Sequence, residues 1–142
     1  MNLLKKTFAL LSAAVVCVSL TACRVDNVVG DDWRVTGIVR DGGTITRNGE
    51  DTYVLVCVNK KASNFYYDTD GQTLFDGVEY PPALAEKVAL SGDVWGMFKG
   101  IDFADLNGDG NSDVTMKFDD SGSELAVVWF WDAGSEQFIY QP

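Results

Sequence analysis

Residues 44–58 read Thr44-Ile45-Thr46-Arg47-Asn48-Gly49-Glu50-Asp51-Thr52-Tyr53-Val54-Leu55-Val56-Cys57-Val58. Both central positions of a type I′ turn need positive φ, which makes Asn-Gly a strong hairpin signal between two runs rich in β-branched residues. Ahead of it, residues 33–40 read as a strand and Asp41-Gly42-Gly43 as a turn into a second strand over 44–47. With residues 52–59 as the third, the spacing predicts a three-stranded meander.

The same alternation of strand composition and turn chemistry continues toward the C-terminus. Residues 64–67 and 73–75 flank Asp68-Thr69-Asp70-Gly71, a second hairpin, and residues 82–90 form one helical pattern opened by Pro82 and stopped by Gly92. Residues 94–98, 114–118, 125–131 and 138–140 have β composition. Val114, Met116 and Phe118 alternate with Thr115 and Lys117, giving that strand one buried face. Residues 125–131 are apolar at every position, which predicts a central strand covered on both sides. The expected fold is a small, mainly β, antiparallel domain of meander or sandwich type with one short α-helix.

Composition narrows the chemistry. The chain has 142 residues, 46% hydrophobic and 23% charged, as expected of one ordinary domain with a core. Its formal charge is −10, falling to −12 without Lys5 and Lys6, which disfavours nucleic acid and anionic lipid and favours cations. The sequence contains no histidine, which removes Ser-His and Cys-His nucleophilic machinery, every His-ligated metal site and the commonest general base.

Residues 1–22 have the form of a secretory signal, with Lys5 and Lys6 ahead of an apolar run over 8–20 that is short for a bilayer span. The run ends in Leu20-Thr21-Ala22-Cys23, which resembles the bacterial lipobox. That resemblance implies that Cys23 becomes the first mature residue and carries acyl chains of the palmitate class through a diacylglycerol thioether. Residues 23–32 then form the lipidated cysteine and a polar tether, and residues 33–142 the single β-rich domain. The resulting address is the cell envelope, extracytoplasmic and anchored to a bacterial membrane. An ordinary cleaved signal is the alternative. With Cys17 lost and Cys23 acylated, Cys57 is the one thiol left, and its apolar run makes it a small hydrophobe rather than a nucleophile.

The segment richest in chemistry is Asp105-Leu106-Asn107-Gly108-Asp109-Gly110-Asn111-Ser112-Asp113. Oxygen side chains stand at positions one, three, five and nine, a glycine at six permits the sharp bend, and Asn111 offers a backbone carbonyl at seven. Hard cations, calcium above all, take six to eight such oxygens. Position twelve is Met116 and the flanks are strands, so this is no EF-hand. Residues 100–114, from Gly100-Ile101-Asp102-Phe103-Ala104 through the acidic loop to Val114, instead resemble the FG-GAP/VCBS repeat of integrin-α-like propellers. The resemblance implies one Ca²⁺ held by Asp105, Asn107, Asp109, Asn111 and Asp113 on a loop joining two strands. One repeat is present, and the chain is too short for a complete propeller of four or more blades of about 40 residues. An Asp/Asn/Gly-rich turn that binds nothing is the alternative.

Asp68, Asp70 and Asp76 repeat the one, three, nine spacing, but Gln72 stands at position five and Gly71 is out of place, so a plain hairpin turn competes with a weak second metal loop. Trp129 and Trp131 share one strand face and fit either core packing or a sugar-stacking platform. Asp102, Asp119, Asp120 and Glu124 contain no spacing that marks a general acid and its partner, so no catalytic residue is assigned. The leading expectation is a non-enzymatic binding or envelope-associated lipoprotein with a calcium-stabilised β domain and an unidentified protein or glycan partner. The alternatives are a glycan-binding or glycan-degrading accessory lipoprotein, marked by exposed tryptophans and a carboxylate pair, and an inhibitor acting through an edge strand or loop.

Overall fold

A computed structural model describes residues 38–142. The signal sequence, Cys23, the tether and the first part of the strand expected over 33–40 lie outside these residues. Eight strands and two helices follow in the order β1 (Ile38–Arg47), β2 (Glu50–Val58), β3 (Ala62–Tyr67), β4 (Leu74–Glu79), α1 (Pro82–Ser91), α2 (Val94–Met97), β5 (Phe98–Ala104), β6 (Asp113–Asp120), β7 (Ser123–Asp132) and β8 (Gln137–Gln141). β1 to β4 form one antiparallel sheet and β5 to β8 another, each a meander in sequence order. The mainly β, antiparallel architecture matches the expectation.

The Asn48-Gly49 turn forms with φ of 52° and 80°, as its chemistry demands. The expected turn at Asp41-Gly42-Gly43 does not. These residues lie inside β1, which runs unbroken through a bulge between Val39 and Asp41. The two glycines serve close approach instead of chain reversal. A Cβ on Gly42 would stand 2.6 Å from the Tyr53 hydroxyl, and one on Gly43 would stand 2.6 Å from the Phe103 ring of β5. Asp41 also stitches the two sheets, accepting the Ile101 N–H at 3.2 Å.

The helix over 82–90 is α1, ended by Gly92 in the left-handed region at φ 69°. Residues 94–98, expected as a strand, instead begin with a second helical turn, α2. Asp93 caps it by accepting the Gly96 N–H at 2.9 Å, and Val94 and Met97, three apart, both turn into the core. A short β-branched and aromatic run carries no periodicity of its own, so this cap prevails over strand propensity.

One core joins the inner faces of both sheets. Ile45, Val54, Val56 and Phe65 of the first meet Val114, Met116, Phe118 and Trp129 of the second, with Leu84 and Val88 of α1. The Phe65 ring meets Phe103 edge-on at 5.2 Å and Phe138 at 5.9 Å, both from the opposite sheet. β7 is an interior strand, but covered on one face alone: Val127, Trp129 and Trp131 are buried, whereas Val128 and Phe130 are partly exposed and Ala126 is exposed. Among the described residues, that outer face is not covered to the depth an all-apolar run predicts. Cys57 is likewise half-buried, between the inward Val56 and Val58, and burial raises its thiol pKa.

Three backbone groups on the outer edges of β4 and β8 are bonded from within. On β4 the Gly77 N–H donates to Asp76 Oδ1 at 2.7 Å and the Glu79 carbonyl accepts the Trp129 indole N–H at 3.2 Å. On β8 the Ile139 carbonyl accepts from Gln141 Nε2 at 2.8 Å. Between these edges runs a groove of about 650 Å³ walled by Phe75, Tyr80, Pro81, Trp129, Phe138 and Tyr140.

Trp129 heads the fully buried large side chains at 2% exposure. Trp129→Ala should therefore cost about 3–5 kcal/mol, from the cavity and the freed Glu79 carbonyl together. In urea titrations the midpoint should fall with the slope unchanged; a loss under about 1 kcal/mol would show that the core relaxes around the site.

Candidate metal centre

Two strands, β5 and β6, present the loop over 105–113, and its own side chains curl it. Asp105 Oδ1 accepts the N–H groups of Gly108 at 2.7 Å and Asp109 at 3.1 Å, while Oδ2 accepts that of Gly110 at 2.9 Å. Asn107 Oδ1 accepts the Asp109 N–H at 3.0 Å, and Asp109 Oδ1 the Asn111 N–H at 2.8 Å. Gly108 and Gly110, at φ 81° and 87°, supply the bends that a side chain would resist. The Gly110 N–H is the largest influence holding the Asp105 carboxyl below its usual range, opposed by desolvation and aided by the N–H groups of Gly108 and Asp109.

The five residues expected at the ion divide into two groups. Asp105, Asn107 and Asp109 share the exposed arc, where Asn107 Nδ2 also donates to Asp109 Oδ2 at 3.2 Å. Asn111 and Asp113 are buried, at 8% and 0% exposure. The Asn111 amide oxygen accepts the Asn48 N–H at 3.0 Å, which leaves its backbone carbonyl as the group available at position seven. Asp113 closes the base of the loop, accepting the Leu106 N–H at 2.8 Å and the Trp131 N–H at 2.9 Å.

This donor set suits a hard cation in part. Each of the five side chains carries an oxygen and the backbone is already curled, but Asp105 Oδ1 accepts two N–H groups, so the remaining acceptor capacity of the exposed carboxylates lies on Asp105 Oδ2 and Asp109. Among the described residues no group of three or more Asp, Glu, His or Cys stands positioned to hold a metal, so a cation here depends on amide and backbone oxygens as well. The residues fit calcium better than magnesium, whose octahedron is less forgiving of such a mixed set.

The second acidic set is put to other uses. Asp70 organises the β3–β4 turn, accepting from the N–H groups of Gln72 at 2.8 Å and Thr73 at 2.9 Å and from the Thr73 hydroxyl at 2.5 Å. Asp76 lies on β4 and is ion-paired with Arg47, while Asp68 is exposed. Three further carboxylates meet lysines: Asp102 with Lys117 at 2.9 Å, Asp119 with Lys99 at 3.6 Å, and Asp120 with Lys87. Glu124 stands opposite Asp119 in the β6–β7 register. Trp131, at 8% exposure, is buried like Trp129, so neither indole forms an open stacking platform.

Two residues at and beside the loop's attachment to β1, Ser112 and Arg47, carry no expectation from the sequence. The Thr46 N–H donates to Ser112 Oγ at 2.8 Å, and the Ser112 N–H returns to the Thr46 carbonyl at 2.8 Å. The Arg47 guanidinium lies 3.4 Å above the Trp131 ring and within 4.8 Å of Phe75 and 5.2 Å of Phe138. Strand alternation was the available signal, because Gly43, Ile45 and Arg47 share one face of β1 and Ile45 is core.

No protein-family model, curated protein or solved structure matches the chain.

The lowered Asp105 pKa fixes the sign of the loop's response to acid. Its contribution to stability is complete above the ordinary carboxylate value of about 3.9 and is lost as pH falls through the lower folded value. The amide resonances of Gly108 and Gly110 should titrate with a midpoint below about 3.9, and Asp105→Asn should abolish that titration. A midpoint at or above the ordinary value would mean that the N–H contacts do not hold the carboxylate in solution.

Proposed function

We propose that this chain is a lipid-anchored, extracytoplasmic bacterial protein whose β domain is braced by one calcium ion, and that it serves as a non-enzymatic binding or envelope-associated module. The observation that carries the bracing role is where the loop's last three residues attach. Asn111 and Ser112 hold the β1–β2 turn of the first sheet, and Asp113 holds β7 of the second. A loop tied to both sheets transmits its own order to the whole sandwich.

Asp105, Asn107 and Asp109, with the Asn111 carbonyl and Asp113, are the groups that would hold the ion. A bound divalent cation supplies the positive charge that offsets repulsion among the loop's carboxylates. The residues then do the rest: the glycines keep the loop curled, and Asp113 keeps its base closed over β7. With no bidentate glutamate at position twelve, affinity belongs in the range of about 10⁻⁵ to 10⁻³ M, suited to external calcium.

Burial of Trp129 and Trp131 counts against the glycan reading, since their faces are spent on the core and on Arg47. The lysine pairing of Asp102, Asp119 and Asp120 is what surface carboxylates do without catalysis. Membrane attachment rests on the lipobox-like Leu20-Thr21-Ala22-Cys23. Among the described residues no helix is long and apolar enough to cross a bilayer.

Calcium at about 100 times its dissociation constant should stabilise the fold by about 2.7 kcal/mol, several degrees in a calorimetric melt of the full chain. Magnesium should do less, and Asp109→Ala should remove most of the calcium effect. Unchanged melts together with no binding heat at millimolar calcium would reduce the loop to a turn.

For the anchor, Cys23→Ser should abolish lipid labelling and release the protein from the membrane fraction. Continued sedimentation with membranes would overturn the lipid assignment.

A further inference from the structure

The sandwich already holds one cation against aromatic rings. The Arg47 guanidinium lies 3.4 Å from the Trp131 ring, with Phe75 and Phe138 beside it and Asp76 as its ion-pair partner. Two residues along β7 and β8, the same kinds of group recur. Trp129 stands opposite Tyr140 in the register as Trp131 stands opposite Phe138, and the Trp129 and Tyr140 rings lie 6.2 Å apart. Glu79 of β4 stands on the rim there, as Asp76 of β4 stands beside Arg47. The second position differs in one respect, the lack of a cation from the chain itself. Among the described residues no lysine or arginine lines the groove of about 650 Å³ between β4 and β8, and none is paired with Glu79.

We propose that this groove is a docking site for a basic segment of a partner protein, and that it takes one arginine side chain against Tyr140 and beside Glu79. The inference rests on the reading of the chain as a binding module and adds the chemistry of what is bound. Charge favours a basic partner: Asp76 and Glu79 are the charged residues of the described lining, and the whole chain carries a formal charge of −10. Trp129 and Tyr80, at 2% and 6% exposure, form the floor, whereas Tyr140 stays 41% exposed and is the ring open to a ligand. A guanidinium is planar and weakly hydrated, so it stacks on an aromatic ring while its N–H groups turn to a carboxylate; a strongly hydrated ammonium does this less well. The backbone beside the groove offers less. The Gly77 N–H and the Glu79 and Ile139 carbonyls are bonded within the chain, so the groove reads a side chain in preference to adding a strand.

NMR titration of the nitrogen-15-labelled full chain tests the site through the Tyr140 amide and the Trp129 indole N–H, which is bonded to the Glu79 carbonyl. The probes are blocked glycine pentapeptides with a central arginine, lysine or citrulline, the last matching arginine in shape without its charge. The arginine peptide should move both resonances saturably, the lysine peptide should bind about 3-fold or more weakly, and the citrulline peptide should leave them in place. Tyr140→Leu, which keeps apolar bulk and removes the ring, and Glu79→Gln should each weaken arginine binding by about 3-fold or more at an unchanged urea midpoint. Resonances unmoved at millimolar arginine peptide, equal binding of the lysine or citrulline peptide, or unchanged affinity in either variant overturns the site and leaves the binding-module reading standing. Movement by cellohexaose alone gives the groove to a glycan, and movement on diluting the chain by itself gives it to a second copy; either overturns the basic-segment assignment. Cleavage of the peptide during the titration, read by mass spectrometry, overturns the non-enzymatic reading and with it this inference.

Discussion

A carboxylate with no exposed surface stands at the start of β6, and the arrangement around it has little freedom. A buried charge is costly unless hydrogen-bonded, and Asp113 meets that requirement with two backbone N–H groups from different places: Leu106 at the mouth of its own loop and Trp131 on the neighbouring strand. Satisfying one side chain therefore fixes the loop's closure, the β6–β7 register and the position of the indole beneath Arg47. The exposed arc over 105–110 is then a short span between anchored ends, and its three oxygen-bearing side chains are gathered by geometry as well as by their own N–H contacts.

The two meanders meet through glycine. β1 and β5 are edge strands of separate sheets, and they come close enough for Asp41 to accept the Ile101 N–H because Gly43 leaves room for the Phe103 ring. On the opposite side the crossing hydrogen bond runs from the Trp129 indole N–H to the Glu79 carbonyl, and the aromatic groove lies between β4 and β8. Side chains thus bridge the two sheets on both sides, and Arg47 reaches from β1 to the rings of Trp131 and Phe138.

Much of this was legible in residue types. Asn48-Gly49, the alternation of Val114, Met116 and Phe118, and Pro82 with Gly92 each carry a local cause strong enough to survive tertiary context. The failures have a shared origin in contacts distant in sequence. Gly42 and Gly43 look like a turn until the rings of Tyr53 and Phe103 are in place, and residues 94–97 look like a strand until Asp93 caps them. Composition over 125–131 could not show that one face would stay partly exposed among the described residues. For the candidate site, spacing named the exposed oxygens but not their partners. Asn48, Thr46 and Trp131 are far from the loop along the chain, and Arg47 reads as a surface charge unless its strand face is compared with that of Ile45.

The partly bonded edges of β4 and β8 have a bearing on crowding. An open sheet edge is a template for a neighbouring copy, and the danger grows with local concentration. On these strands the exposed backbone groups at Gly77, Glu79 and Ile139 already have partners in Asp76, Trp129 and Gln141. Wherever copies meet often, each edge group bonded within its own chain is one fewer position for a neighbouring strand to pair with. Two of the three side chains, Asp76 and Trp129, also wall the groove between β4 and β8, so the groups that occupy the edge backbone are the ones that shape the cleft beside it.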